Sequence, residues 1–165
     1  MEILMNNLEI FTKNNNYKVI GIYPNSDPGS YNIIDVINKY HNHQNIKFFK
    51  NIPQSEFVNT LRNAAAIIGN SSMGFLEAPY YKIPVINVGN RQRDRLNAGN
   101  VEFTSFETNK ILKCLNRACF NSKYRNYVSK LPNPYRNGNA SKKIVKFLNN
   151  IDLSDKKWLI KKNIC

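Results

Sequence analysis

Short apolar runs at regular intervals, each closed by turn residues and followed by a stretch with helical spacing, confine this chain to a narrow set of folds. The runs are Tyr17-Lys18-Val19-Ile20-Gly21-Ile22-Tyr23, Ile46-Lys47-Phe48-Phe49, Ala65-Ala66-Ile67-Ile68, Pro84-Val85-Ile86-Asn87-Val88 and Val101-Glu102-Phe103-Thr104. Each reads as a strand. Ile3, Leu4, Leu8 and Phe11 recur at helical spacing, which predicts an opening helix over residues 2–13. After the first run comes Pro24-Asn25-Ser26-Asp27-Pro28-Gly29-Ser30, a dense turn cluster whose Ser30 is expected to cap a helix striped by Ile33, Ile34, Ile37 and Tyr40. Pro53 is expected to start a helix running through Phe57, Val58 and Leu61. Helices at about 107–119 and 122–130, a loop over 131–139 and a final helix at 140–149 complete the reading.

Strands alternating with helices in this way form parallel βαβ units with right-handed crossovers. The fold class is therefore α/β, a Rossmann-like parallel sheet with helices on both faces. Ligands of such sheets bind beyond the carboxyl ends of the strands. The turn-rich segments 24–30, 50–53, 69–74 and 89–95 each follow a strand, so they are expected to share one rim.

The third of these segments carries the chemistry. Ile67-Ile68-Gly69-Asn70-Ser71-Ser72-Met73-Gly74-Phe75-Leu76-Glu77-Ala78-Pro79 runs from an apolar strand through small residues into a short helix bearing a carboxylate. The first N–H groups of a helix lack intrahelical partners and lie at the positive end of its dipole, so they suit a phosphate or pyrophosphate. Ser71 and Ser72 add hydroxyl donors. Glu77, about one turn on, is repelled by phosphate but suits the neutral hydroxyls of an attached ribose, and together these point to a nucleoside diphosphate. Taken alone, the pattern equally fits a plain strand-to-helix turn capped by Asn70 or Ser71, with Glu77 a solvated acid. The convergence of loops on one rim favours the ligand.

Composition removes several other classes. The net charge of +13, from 24 Lys and Arg against 11 Asp and Glu, invites a nucleic-acid reading. The lysines, however, are spread along the chain, Asn, Ile and Lys are abundant while Gly and Ala are scarce, and no nucleic-acid motif accompanies them. The basic balance therefore reads as compositional, though it favours small anionic ligands. No stretch reaches the roughly 18 apolar residues of a membrane span, and the first residues lack a basic leader with an apolar run, so a cytoplasmic protein is expected. Cys114 and Cys119, five apart, and Cys165 show neither disulfide nor zinc spacing, and the first two read as half-buried thiols. No cofactor or metal is expected.

Tyr23-Pro24-Asn25-Ser26-Asp27-Pro28-Gly29-Ser30, Gly69-Asn70-Ser71-Ser72-Met73-Gly74, Glu77-Ala78-Pro79, Asn87-Val88-Gly89-Asn90-Arg91-Gln92 and Asn133-Pro134-Tyr135 stand in the order and spacing of a known family. To about residue 150 the chain resembles the carboxy-terminal half of UDP-N-acetylglucosamine 2-epimerases. It is most similar to the hydrolysing type, which releases N-acetylmannosamine and UDP for sialic-acid-like sugars. The resemblance implies the second domain of a GT-B fold, with residues 1–150 as a nucleotide-sugar-binding domain and 151–165 as a helical or disordered tail. It implies that Ser71 and Ser72 bind the diphosphate, that Asn70 and Gly74 also belong to the substrate-binding site, that Glu77 takes the ribose hydroxyls, and that Phe57 stands where the family packs the uracil. Arg91 and Arg95 fall in an Arg-Gln-x-Gly-Arg segment near the nucleotide, where a guanidinium fork suits phosphate oxygens. Asp94 replaces the usual glycine there, Phe57 also reads as a core residue, and both arginines also read as solvated.

In the family the acids and bases that remove the C2 proton lie in the first domain, with a histidine near the join, and this chain is expected to start just after that join. His41 and His43 do not match it, so no catalytic residue is assigned. The isolated chain is expected to bind UDP or UDP-N-acetylglucosamine and to turn nothing over without a separately encoded first domain. The alternatives are the nucleotide-sugar half of a GT-B glycosyltransferase and a non-catalytic nucleotide-sugar sensor or polyanion-binding module. Trp158, Leu159 and Ile160 are expected to form an apolar patch that favours self-association into a homo-oligomer or disorder of residues 151–165.

Overall fold

The computed structural model describes residues 1–135, 138–152, 154 and 155. The chain divides into two compact units, one of Met1–Pro134 and a second beginning at Tyr135. In the first unit the order is α1 (Glu2–Asn14), β1 (Val19–Ile22), α2 (Ser30–Asn38), β2 (Ile46–Phe49), α3 (Gln54–Asn63), β3 (Ile67–Gly69), α4 (Met73–Leu76), α5 (Ala78–Tyr81), β4 (Val85–Val88), β5 (Val101–Thr104), α6 (Thr108–Phe120) and α7 (Ser122–Lys130). Among the described residues no helix is long and apolar enough to cross a membrane.

All strand pairs are parallel, but their ladders fall into two sheets, β1-β2 and β3-β4-β5, where one sheet was expected. Val19 pairs with Ile46, Ile67 with Val85, and Val85 with Val101. β3 is only three residues long and has β4 as its one ladder neighbour among the described residues, so packing and not a ladder joins the two sheets. One buried cluster spans both sheets. It gathers Leu4, Leu8 and Phe11 of α1, Ile46 of β2, Ile86 and Val88 of β4, and Ile111 and Leu115 of α6. A second cluster of Leu61, Ala78, Ile83 and Val85 lies on the other side of β4.

Period-two alternation accounts for this division. Val85 and Ile86 are neighbours on one strand, so they point to opposite faces and enter different clusters. β4 is buried along its whole length, as a central parallel strand covered on both sides should be. β1 alternates, and its outward residues Ile20 and Ile22 remain about half exposed beside Phe49 of β2.

Two local expectations change. α2 is preceded by Gly29 with φ +87°, a conformation that favours glycine, and Ser30 is the buried first helical residue instead of a side-chain cap. Its N–H donates to the Asp27 carbonyl at 3.0 Å, so the turn's backbone does the capping. Cys114 is buried, whereas Cys119 is half-buried as expected. In the second unit α8 (Ala140–Asn149) follows Asn139, and its Ile144, Val145, Phe147 and Leu148 are about half exposed. Trp158, Leu159, Ile160 and Cys165 lie outside the described residues.

Candidate functional site

The chain leaves β3 at Gly69, whose φ of +147° turns the backbone where a side chain would be strained. Asn70 and Ser71 are exposed and Ser72 is half-buried as the residue before α4. No side chain caps α4 from Ser72. Instead the Met73 N–H donates to Ser71 Oγ at 3.3 Å, and the Phe75 N–H donates to the Ser72 carbonyl at 2.9 Å. Among the described residues the amides of Ser71 and Ser72 have no recorded protein acceptor. These two amides stand at the turn where the sequence led us to expect an anion.

Glu77 is not inside one helix. It is the junction between α4 and α5, exposed, with φ −98° and ψ −43°. Pro79 explains the break, because it has no N–H to return to the Phe75 carbonyl and its ring crowds that position. Pro79 instead sits in the first turn of α5, where its fixed φ is suitable. The Glu77 N–H still donates to the Met73 carbonyl at 3.0 Å, and no ion pair holds its carboxylate among the described residues.

Gly74 is buried because α4 lies directly on β4. A Cβ there would fall 2.6 Å from Val85 Cγ1. Its carbonyl accepts from Asn100 Nδ2 at 3.4 Å, and the same amide donates to the Ile83 carbonyl at 3.1 Å. Asn100 is 1% exposed, and its own carbonyl accepts from the Tyr124 hydroxyl at 3.3 Å. This buried amide fastens α4, the segment after α5 and β5 together.

Two contacts gather the other loops. Gln92, 4% exposed, donates from Nε2 to the Asn70 carbonyl at 3.0 Å. Arg91 reaches Asp27 at 3.7 Å, with both side chains about two-thirds exposed. Three of the four loops expected to share a rim, those after β1, β3 and β4, thus meet. The Arg91 turn is held by Arg93 N–H to the Asn90 carbonyl and Arg95 N–H to the Gln92 carbonyl, at 3.1 and 3.2 Å. Arg95 is exposed and among the described residues has no recorded ion pair. Phe57, the fourth residue of α3, is half-buried and packs against the Leu61, Ala78, Ile83 and Val85 cluster, which Met73 also joins.

Sequence reasoning passed over Asn100, Gln92 and Asp27 as site residues. Gln92 and Asp27 stood inside the motifs, but nothing in a linear pattern marks a glutamine between arginines as buried. Asn100 follows Gly99 and reads as a loop residue.

The model for the family described as UDP-N-acetylglucosamine 2-epimerase matches residues 1–149. A UDP-N,N'-diacetylbacillosamine 2-epimerase (hydrolyzing) of Legionella pneumophila is 33% identical over 138 residues, covering 84% of this chain and 35% of that protein. The UDP-N-acetylglucosamine 2-epimerase of Neisseria meningitidis serogroup B is 38% identical over 108 residues, covering 64% of this chain and 28% of that protein. The crystal structure of UDP-GlcNAc 2-epimerase from Neisseria meningitidis bound to UDP-GlcNAc superposes with a TM-score of 0.62 at 25% identity, over 91% of this chain and 41% of that one. The chain spans about a third of the length of the curated relatives it matches. Its architecture is the Rossmann-like half of a GT-B fold. With the matched residues running from α1 through α8, this chain belongs to the UDP-N-acetylglucosamine 2-epimerase family.

Proposed function

We propose that these 165 residues are the UDP-holding half of a hydrolysing UDP-N-acetylglucosamine 2-epimerase. The observation that carries the reading is the turn after β3, where the Ser71 and Ser72 amides and the Glu77 carboxylate, unpaired among the described residues, lie with the exposed Ser71 within seven positions. The amides and hydroxyls take the diphosphate, and Glu77 accepts from the ribose hydroxyls. Arg91 adds a guanidinium fork from the neighbouring loop, Arg95 a second cation, and Phe57 an apolar surface toward the uracil. The relative named as hydrolyzing supports that reaction type for this chain.

The reaction is anti elimination of UDP, in which the C2 proton and the anomeric C–O bond are lost together to leave a 2-acetamidoglucal. Addition of water then gives N-acetylmannosamine. UDP departs with the pair from the broken C–O bond, and donors aimed at its β-phosphate stabilise that charge. Proton removal at C2 needs a positioned base on the sugar side, and His41 and His43 both lie in the connection from α2 to β2, which enters the sheet at the end opposite the loops that leave its parallel strands. These 165 residues therefore bind the leaving group, while a first domain, in whichever polypeptide carries it, supplies the base.

Isothermal titration with UDP tests the reading. Micromolar binding that falls at least tenfold in Glu77→Ala and is unchanged in Lys113→Ala supports it. Binding that a long polyanion outcompetes, with a steep loss of affinity on adding salt, supports a polyanion module and overturns it. Addition of a separately expressed first domain is expected to start N-acetylmannosamine release, and release by the chain alone would place the base here instead.

A further inference from the structure

Gln92 is buried to 4% exposure on a loop whose neighbours are charged and exposed. One end of its amide donates to the Asn70 carbonyl at 3.0 Å, while the other end, Oε1, is buried with no hydrogen-bond partner among the described residues. A buried amide oxygen left unpaired costs about 1–3 kcal/mol. An apolar side chain of the same length would fill the space without that cost, so packing alone does not account for a glutamine here. What an apolar residue could not do is tie this loop to the Asn70 carbonyl.

That tie has a consequence for the next residue. Consecutive Cα atoms are about 3.8 Å apart, so fixing Gln92 on Asn70 fixes where the Arg91 side chain starts relative to Ser71 and Ser72. Arg91 itself is held only by an exposed pair with Asp27 at 3.7 Å. We propose that Gln92 is a positioning residue for the diphosphate: its amide locks the arginine turn to the serine turn, so that the Arg91 guanidinium and the Ser71 and Ser72 amides face the same phosphates. The inference rests on the reading of this rim as a UDP site and adds to it a residue that does not touch the ligand.

Gln92→Met keeps the length and volume, removes the donor and removes the orphaned Oε1. Thermal unfolding of the full chain is expected to be unchanged or slightly raised. In titrations UDP affinity is expected to fall about three- to tenfold, the range of one hydrogen bond's net contribution. Uridine, which has no phosphates for Arg91, is expected to bind both proteins equally. In an Arg91→Ala background the same substitution is expected to cost nothing further, because there is no guanidinium left to position. Failure of the unaltered chain to bind UDP overturns the functional reading and this inference with it. UDP binding that is insensitive to Gln92→Met, an equal loss for uridine, or a loss that persists in full on top of Arg91→Ala overturns the inference alone.

Discussion

Gly74→Ala sets two magnitudes against each other on the element that carries the serine turn. The added methyl would lie 2.6 Å from Val85 Cγ1 and 3.5 Å from Cγ2, whereas carbon atoms pack best at about 3.5–4.0 Å. Val85 is 3% exposed and belongs to the cluster with Leu61, Ala78 and Ile83, so it has little room to turn away. Overpacking a closed core costs about 1–3 kcal/mol. Against this, alanine is preferred to glycine in a helix interior by about 1 kcal/mol. α4 is a single turn, so that gain falls short of its full value. The clash is expected to win, with a net loss of about 1–2 kcal/mol.

For a chain of this length each kcal/mol moves Tm by about 2–4 °C, so thermal unfolding followed by circular dichroism should show a fall of about 2–8 °C. The partner experiment is Val85→Ala, which opens space where the methyl lands. The double variant is expected to be more stable than the sum of the single losses by at least about 1 kcal/mol in urea unfolding. UDP affinity should follow the same order, weakened in Gly74→Ala and partly recovered in the double variant, because the Gly74 carbonyl and the serine turn move together. Gly74→Ala as stable as the unaltered chain, or losses that simply add, would refute the packing of α4 on β4 as described.

Asp27→Asn is expected to tighten UDP binding about two- to fivefold at low salt, because it removes a carboxylate that competes for Arg91, and the gain should shrink as salt is added. Asn100→Ala should cost about 2–3 kcal/mol in urea unfolding, since the Gly74 and Ile83 carbonyls lose their donor in a buried place. Burial, with Glu102 close by, pushes the Cys114 thiol up to about 11. An unfolded thiol ionises near 8.5, so between about pH 9 and pH 11 the unfolded chain carries fewer protons and stability falls as pH rises. That contribution is fully present below pH 8.5, and the difference between the unaltered chain and Cys114→Ala across this window should isolate it. At pH 8 Cys114 is expected to resist alkylation in the folded protein and to react once it is unfolded.

Elements bounded by strong punctuation were legible to the residue. β2 and β5 match the runs Ile46 to Phe49 and Val101 to Thr104, and α7 and α8 match the expected ranges 122–130 and 140–149. The errors share a cause, which is that propensity describes a residue and not what the backbone around it is doing. Ser30 looks like a cap, but the Asp27 carbonyl and a left-handed Gly29 already close that turn. Glu77 looks helical until Pro79 removes the N–H that would have continued α4. The rim could be anticipated because loops that follow parallel strands must emerge at the same end. Its fastenings could not, since Gln92 and Asn100 meet partners 22 and 26 residues away, at Asn70 and Gly74.

The two contacts that gather the rim differ in a way that suits a site which must both persist and exchange partners. Gln92 to Asn70 is buried and neutral, so salt and competing anions have little purchase on it. Arg91 to Asp27 is exposed, and a pair of that kind contributes no more than about 1 kcal/mol. A diphosphate offers the guanidinium more charge than one carboxylate and a geometry that can accept two N–H donors at once, so it should displace Asp27 readily. The backbone that presents Arg91 stays fixed during that exchange. On the proposed reading Arg91 swings while the donors of Ser71 and Ser72 wait in place, and the ordering cost falls on exposed side chains and the ligand.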